Sequence, residues 1–386
     1  MKGKCLSCGA PLMEKPLLVC ENMPAVAQHM PSKEEIGEDR KLTLNLCQCS
    51  GCGLVQFDAE PVWYYRNVIR SGGYSTTMVN LRREQYERFL SLCPVKNGRI
   101  VEVGCGQGEF LRVWRQFGFP VKVYGIENDP ELVKKARDDE LEVIQGFVED
   151  ESEIENGPFD AFCSFNFLEH QPAPLKMLRA IHHNLKETAY GLITVPSWEY
   201  ILEHQGFYEL IHDHLAYYSE ETFRFVLENS GFRVLEMRRI NRDTHEAIVE
   251  KRKREDVEGL KKNRSEMERE LRKFVDECNV DGRIIAIWGA SHQGFTLLSN
   301  IGIGDKISYV IDSAPFKQGK YTSGEHTPIV SPEYFRKHPV DSVLIVAPGY
   351  SDEICRLIKE MSEKKILIAT LRAEKVEILQ EGWRRE

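Results

Sequence analysis

The chain has 386 residues, of which 42% are hydrophobic and 29% charged, with a net charge of −9. That length allows two or three domains with their own cores, and the acidic balance leaves no excess of Lys and Arg for wrapping nucleic acid. No apolar run reaches the roughly 20 residues of a membrane span, and the opening MKGKCLSCGAPLMEK lacks the uninterrupted apolar stretch of a signal peptide, so a cytoplasmic protein without a membrane partner is expected.

In a reducing compartment cysteines are thiols or metal ligands rather than disulfides. Six of the 11 lie before residue 53, and two short segments repeat one pattern, "CLSCG" and "CSGCG". In such a knuckle both thiolates reach one ion and the following glycine permits the tight turn. Two knuckles supply four sulfurs, so Cys5, Cys8, Cys49 and Cys52 are expected to hold one structural Zn2+ within a zinc-binding domain spanning residues 1–60. With every position filled by sulfur, this ion has no open site for chemistry. The plainer alternative is a pair of unconnected thiol turns. Cys20 and Cys47 are spare, and Cys47 could replace a ligand.

Residues 61–92 are aromatic and basic, then helical by pattern, and are read as a helical lid. From about residue 99 short apolar strands alternate with helical stretches, which indicates α/β architecture. The strands are expected at Ile100–Val103, Val121–Ile126, Ala161–Phe165 and Gly191–Val195.

"VEVGCGQGEF" reads as strand, glycine turn and helix start, with Gly104, Gly106 and Gly108 spaced G-x-G-x-G. A dinucleotide fingerprint needs its third glycine one place later, where this chain has Glu109. A carboxylate at a helix N-terminus opposes a pyrophosphate. A cofactor without phosphates fits better, and S-adenosylmethionine has a cationic sulfonium, a zwitterionic end and an adenosine. Glu102 can face its ammonium, and Glu127, with Asn128 beside it, can accept the ribose hydroxyls. Phe147 and Val148 can flank the adenine, and Asn166 follows the next strand. Residues 61–245 are therefore expected to form a class I S-adenosylmethionine methyltransferase domain of Rossmann-like fold. "NFLEHQPAP" is not the Asn-Pro-Pro-Tyr segment of base methylases, and "VPS" lacks their Pro-Cys nucleophile.

"LIHDHLAYYS" sets His212 and His214 on either side of Asp213. In an extended segment the two histidines share one face and Asp213 points away. The group suits a proton base, a metal-binding pair or a satisfied loop. Tyr208 and Tyr217 nearby suit packing or a hydrogen bond to an enolate oxygen.

Residues 246–280 carry Val257, Leu260, Met267, Leu271 and Phe274 on one stripe of a long charged helix, read as a linker packed by one face. At 281–386 a second α/β unit opens with "IWGASHQG" and reaches Asp312, 23 residues beyond Gly289. That pattern suits a second nucleotide site or a Rossmann-like turn without cofactor. Lys317, Lys320 and His326 suit phosphates or a solvated loop.

"CLSCG" with "CSGCGLVQF", "VEVGCGQGEFL", "HDHLAYYS" and "GASHQGFTLL" through "VIDSAPFKQGKYTSGEHTPI" together resemble the three-domain C-methyltransferases of nucleotide-linked deoxysugars. The resemblance spans nearly the full length. It implies an N-terminal zinc domain, a central S-adenosylmethionine domain and a C-terminal Rossmann-like substrate domain. It makes His214 the base beside the transferred methyl, with Asp213 assisting and His212 a candidate to share the role. It also places Ser291 and His292 in the substrate cleft. The family's upstream tyrosine-serine segment appears here as "NVIRSGGYSTTM", with Arg70 and Tyr74. Ile211 stands where the family has a tyrosine, Gln293 where it has a lysine, and "PGY" where it has Trp-Asn. The expected function is carbon methylation of a nucleotide-linked ketosugar or similar small molecule by a monomer or weak dimer. The alternatives are an O- or N-methyltransferase of another metabolite on the same scaffold, an RNA methyltransferase, or a scaffold protein with an inactive methylase fold.

Overall fold

The computed structural model describes residues 3–28, 30–67, 74–372 and 375–382. The chain divides into two compact units, Met1–Arg254 and Glu255–Glu386.

In the first unit, β1 (Leu18–Pro24), β2 (Lys41–Gln48) and β3 (Val55–Phe57) form an antiparallel meander. The chain continues through α1 (Thr76–Leu92), β4 (Arg99–Val103), α2 (Glu109–Gln116), β5 (Lys122–Glu127), α3 (Pro130–Asp138) and β6 (Val143–Gln145). It then passes β7 (Phe159–Phe165), α4 (Pro174–His183), β8 (Leu185–Pro196), α5 (Trp198–His204), β9 (Ala216–Tyr217), α6 (Glu220–Asn229), β10 (Phe232–Ile240) and β11 (Thr244–Lys251). The large sheet runs β10-β11-β8-β7-β4-β5-β6, with β4 to β8 parallel and β10 and β11 added antiparallel. All four expected strands are present at their expected places.

Strand alternation explains the two faces of this sheet. Val101, Val103, Phe162 and Ile193 enter one apolar cluster, and Ile100, Ala161, Cys163 and Leu192 enter another. The second cluster receives Tyr86 and Phe89 from α1, both fully buried, and Tyr86 stacks on Trp114 with centroids 3.7 Å apart. Within the stretch expected as a helical lid, Thr76–Leu92 therefore serve as a core helix whose apolar face covers the sheet.

The N-terminal sheet also takes a strand from beyond residue 60. β9 pairs with β3, so the strand just after His214 completes the N-terminal sheet. Cys5, Cys49 and Leu54 share an apolar cluster with Val101, Tyr218 and Phe223. Leu44, Leu46, Val55 and Phe57 likewise pack with Ile201, Leu210 and Tyr217, so the N-terminal segment completes its core with side chains of the domain that follows.

In the second unit, α7 (Glu258–Cys278) leads into β12 (Ile285–Trp288), α8 (His292–Ile301), β13 (Val310–Ile311), β14 (Ile329–Val330) and α9 (Pro332–Lys337). Next come β15 (Ser342–Ile345), α10 (Ser351–Met361), β16 (Leu367–Leu371) and β17 (Val376–Gln380). The order is β14-β13-β12-β15-β16-β17, parallel except for the last strand. Residues 246–280 are no separate linker. Thr244–Lys251 are the strand β11, and α7 buries Met267, Leu271, Phe274, Val275 and Cys278 in the second unit's own core.

Candidate active site and cysteine cluster

The four knuckle cysteines converge. Cys5 Sγ lies 3.6 Å from Cys52 Sγ, and Cys8 Sγ lies 3.4 Å from Cys49 Sγ. A tetrahedral ion with bonds of about 2.3 Å would hold sulfurs about 3.8 Å apart, so the donor set fits. The backbone N–H groups of Ser7, Gly51 and Cys52 point at the cluster's sulfurs, as thiolates require.

The glycine loop follows β4. Gly104, Gly106 and Gly108 all have positive φ, between 60° and 81°. Gly108 has φ 81° and a Cβ there would meet the Leu141 side chain at 2.3 Å, so any other residue would be strained at this turn. Beyond the loop lies a pocket lined by Val103, Gly104, Ile126, Glu127, Asn128, Gly146, Phe147, Val148, Phe167 and Arg66. Five of the expected cofactor residues therefore meet at one place: Gly104, Glu127, Asn128, Phe147 and Val148. Glu127 is buried and accepts N–H groups from Gly106 at 2.8 Å, Asn128 at 2.8 Å and Asp129 at 3.0 Å. These bonds fix the carboxylate at the end of β5.

Glu102 is buried in β4, flanked in register by Gly125 and Cys163. Asn166 is not among the pocket's lining residues, and its Oδ1 accepts from the Thr194 hydroxyl at 2.6 Å. Sequence reasoning missed Arg66 and Phe167. The Arg66 guanidinium stands 5.5 Å from the Phe147 ring centre and pairs with both Glu149 oxygens, while Asn67 accepts from Asn128. Phe167, one place after Asn166, packs against Gly104.

The histidine segment is a turn, closed by His214 N donating to Ile211 O at 3.0 Å. In a turn its three side chains diverge, and this corrects two expectations. The His212 ring nitrogens lie 2.6 Å from Ala25 O and 3.0 Å from Glu60 O, so His212 ties backbone segments together. Asp213 accepts from Tyr64 Oη at 2.6 Å and from Ala27 N at 2.9 Å, so its carboxylate does not orient His214. Only the Asp213 carbonyl reaches the neighbouring site, accepting from His170 Nδ1 at 2.7 Å. Because a carbonyl only accepts, that bond fixes the His170 tautomer.

His214 meets His170 edge to face, with ring centres 4.7 Å apart. Burial drives the His214 imidazole down to about 3 and His170 to about 4, and it pushes Glu169 up to about 8. Glu169, His170 and Phe167 belong to "NFLEHQPAP". The 3-10 turn Leu168–His170 therefore links the pocket wall at Phe167 to the His214 ring.

The expected substrate residues scatter. Tyr217 is buried, with its hydroxyl accepting from Ile211 N at 3.0 Å and donating to Ile211 O at 3.2 Å, so it clamps the turn rather than facing a ligand. Tyr208 is exposed, and Tyr74 is exposed and donates to Gln116. Arg70 lies outside the described residues. In the second unit Ser291 caps α8 by accepting from Gly294 N, and His292 is exposed at the first turn of that helix. Lys317 is engaged with Asp312 Oδ2 at 2.9 Å and Ala290 O at 2.8 Å, which removes it as a free phosphate ligand.

The parallel sheet, the glycine loop and the acidic end of β5 define a class I S-adenosylmethionine-dependent methyltransferase. Residues 78–237 match the family described as a methyltransferase domain, and residues 236–370 match the C-methyltransferase C-terminal domain. The two matches adjoin and together span residues 78–370. It is 24% identical to the C-methyltransferase NovU of Streptomyces niveus over 376 residues, 88% of each protein. The ubiquinone biosynthesis O-methyltransferase of Xanthomonas campestris is 38% identical over 95 residues, covering 23% of this chain and 38% of that one. A solved S-adenosylmethionine-dependent methyltransferase from Clostridium acetobutylicum covers 47% of this chain and 93% of its own at 12% identity and a TM-score of 0.38. Among the described residues, no helix is long and apolar enough to cross a membrane.

Proposed function

We propose that this enzyme methylates a carbon next to a carbonyl in a nucleotide-linked sugar, with His214 as the base. S-adenosylmethionine supplies an electrophilic methyl group when bound. Gly104, Glu127, Asn128, Phe147 and Val148 would hold it, with Glu127 accepting the ribose hydroxyls and Phe147 flanking the adenine. The His214 ring is neutral in its buried setting and makes no hydrogen bond among the described residues, so it offers a lone pair for a proton on carbon. The observation that carries this reading is the short turn joining Phe167 in the pocket wall to His170 against His214, since a 3-10 turn spans only about 6 Å. The cysteine cluster would hold one structural zinc.

The test is incubation with labelled methyl donor and a panel of nucleotide sugars, with mass spectrometry locating the added carbon. His214→Ala is expected to lose most methyl transfer while still binding the donor. Turnover within a few-fold of the parent protein would end the base assignment.

A further inference from the structure

We infer that Glu169, His170 and His214 form a second metal site in the first unit, apart from the cysteine cluster, suited to a borderline divalent ion such as Zn2+ or Co2+. An ion held there would take the lone pair of His214 and so inhibit methyl transfer. The inhibition rests on the base reading above, whereas the site itself does not.

One carboxylate oxygen and two imidazole nitrogens lie within 4.8 Å of one another, and Glu169 Oε1 is 4.0 Å from His170 Nε2. Ligand bonds of about 2.0–2.2 Å bring neighbouring donor atoms to roughly 3–3.5 Å, a contraction that small side-chain rotations supply. The His170 tautomer is already set for ligation. Its Nδ1–H is spent on the Asp213 carbonyl, so Nε2 presents a lone pair toward Glu169. Metal-binding histidines are oriented by outer contacts of this kind.

An independent observation points to the same place. Glu169 is 1% exposed, and its Oε2 is buried without a hydrogen-bond partner. A cation is one of the partners that such a buried, unpaired carboxylate oxygen takes. Two imidazoles and one carboxylate select first-row transition ions, whereas Mg2+ and Ca2+ favour all-oxygen sets. The mechanism proposed above does not use Glu169.

The test uses the intact protein with its cysteine cluster loaded. After dialysis against micromolar zinc, the parent protein is expected to retain one ion more per chain than Glu169→Gln or His170→Gln. Equal zinc in all three overturns the site. Because those variants alter buried groups, a second measurement uses the parent protein alone. Zinc is expected to shield His214 from ethoxycarbonylation by diethyl pyrocarbonate, read by peptide mass, and unshielded modification overturns the site as well. In methyl-transfer assays Glu169→Gln should need about tenfold more zinc for the same inhibition. Should the extra ion bind while His214→Ala keeps its turnover, the base assignment falls and the metal site stands.

Discussion

Tyr64 Oη donates to Asp213 Oδ1 at 2.6 Å, tying the segment ahead of α1 to the turn that carries His214. Both groups are buried, and Asp213 also accepts from Ala27 N. Tyr64→Phe leaves one buried carboxylate oxygen short of a donor, which costs about 1–3 kcal/mol. Urea unfolding of the variant should show that loss. Turnover should fall further than donor affinity, because the turn positions His214 rather than the pocket. A variant as stable as the parent would mean the hydroxyl bond is incidental.

Glu127 is oriented by three backbone N–H groups. Glu127→Gln places an NH2 group where one oxygen faces those donors, and it removes the charge expected to bind the ribose. Calorimetry should show at least about tenfold weaker S-adenosylmethionine binding, worth about 1.4 kcal/mol. In the parent protein NADH should give no heat. Tight NADH binding would contradict the reading of the glycine loop.

Arg66 caps the same pocket. Its guanidinium stands over the Phe147 and Tyr65 rings and pairs with Glu149. The pair is half exposed, so it contributes little to stability. Its effect should appear in the release rate of the donor. Arg66→Ala and Glu149→Ala should each speed release of the demethylated product a few-fold in stopped-flow measurements, with no change in the melting temperature. Unaltered release in both would show that the arginine does not cap the ligand.

Removal of metal should be felt well beyond the knuckles. Cys5 and Cys49 pack with Val101, Tyr218 and Phe223, and β3 pairs with β9 two residues after His214. Chelation or Cys49→Ser is therefore expected to lower the melting temperature and to reduce methyl transfer, although no cysteine touches the reacting atoms. Metal analysis should report the zinc lost. Unchanged melting after complete removal would show that the cluster is not structural.

Short-range patterns made some of this legible. The CxxCG repeats announced a four-sulfur cluster because both thiols of a knuckle sit on one tight turn. The strands at β4, β5, β7 and β8 were visible because buried parallel strands are continuous apolar runs. Phe167 and Arg66 carried no such signal. Nothing about a phenylalanine after Asn166 tells that its ring will cover Gly104, and the role of Arg66 depends on Phe147 and Glu149, about eighty residues away.

The amino-acid order alone determined that this chain builds a parallel α/β sheet with a glycine turn and an acid at the end of the next strand, since periodicity and turn chemistry act over a few residues. It also determined that His212, Asp213 and His214 would lie together. Only the tertiary structure decided their separate uses. A turn sends three consecutive side chains in different directions, and each direction acquired its meaning from a distant partner: Ala25 and Glu60 for His212, Tyr64 for Asp213, and His170 for His214.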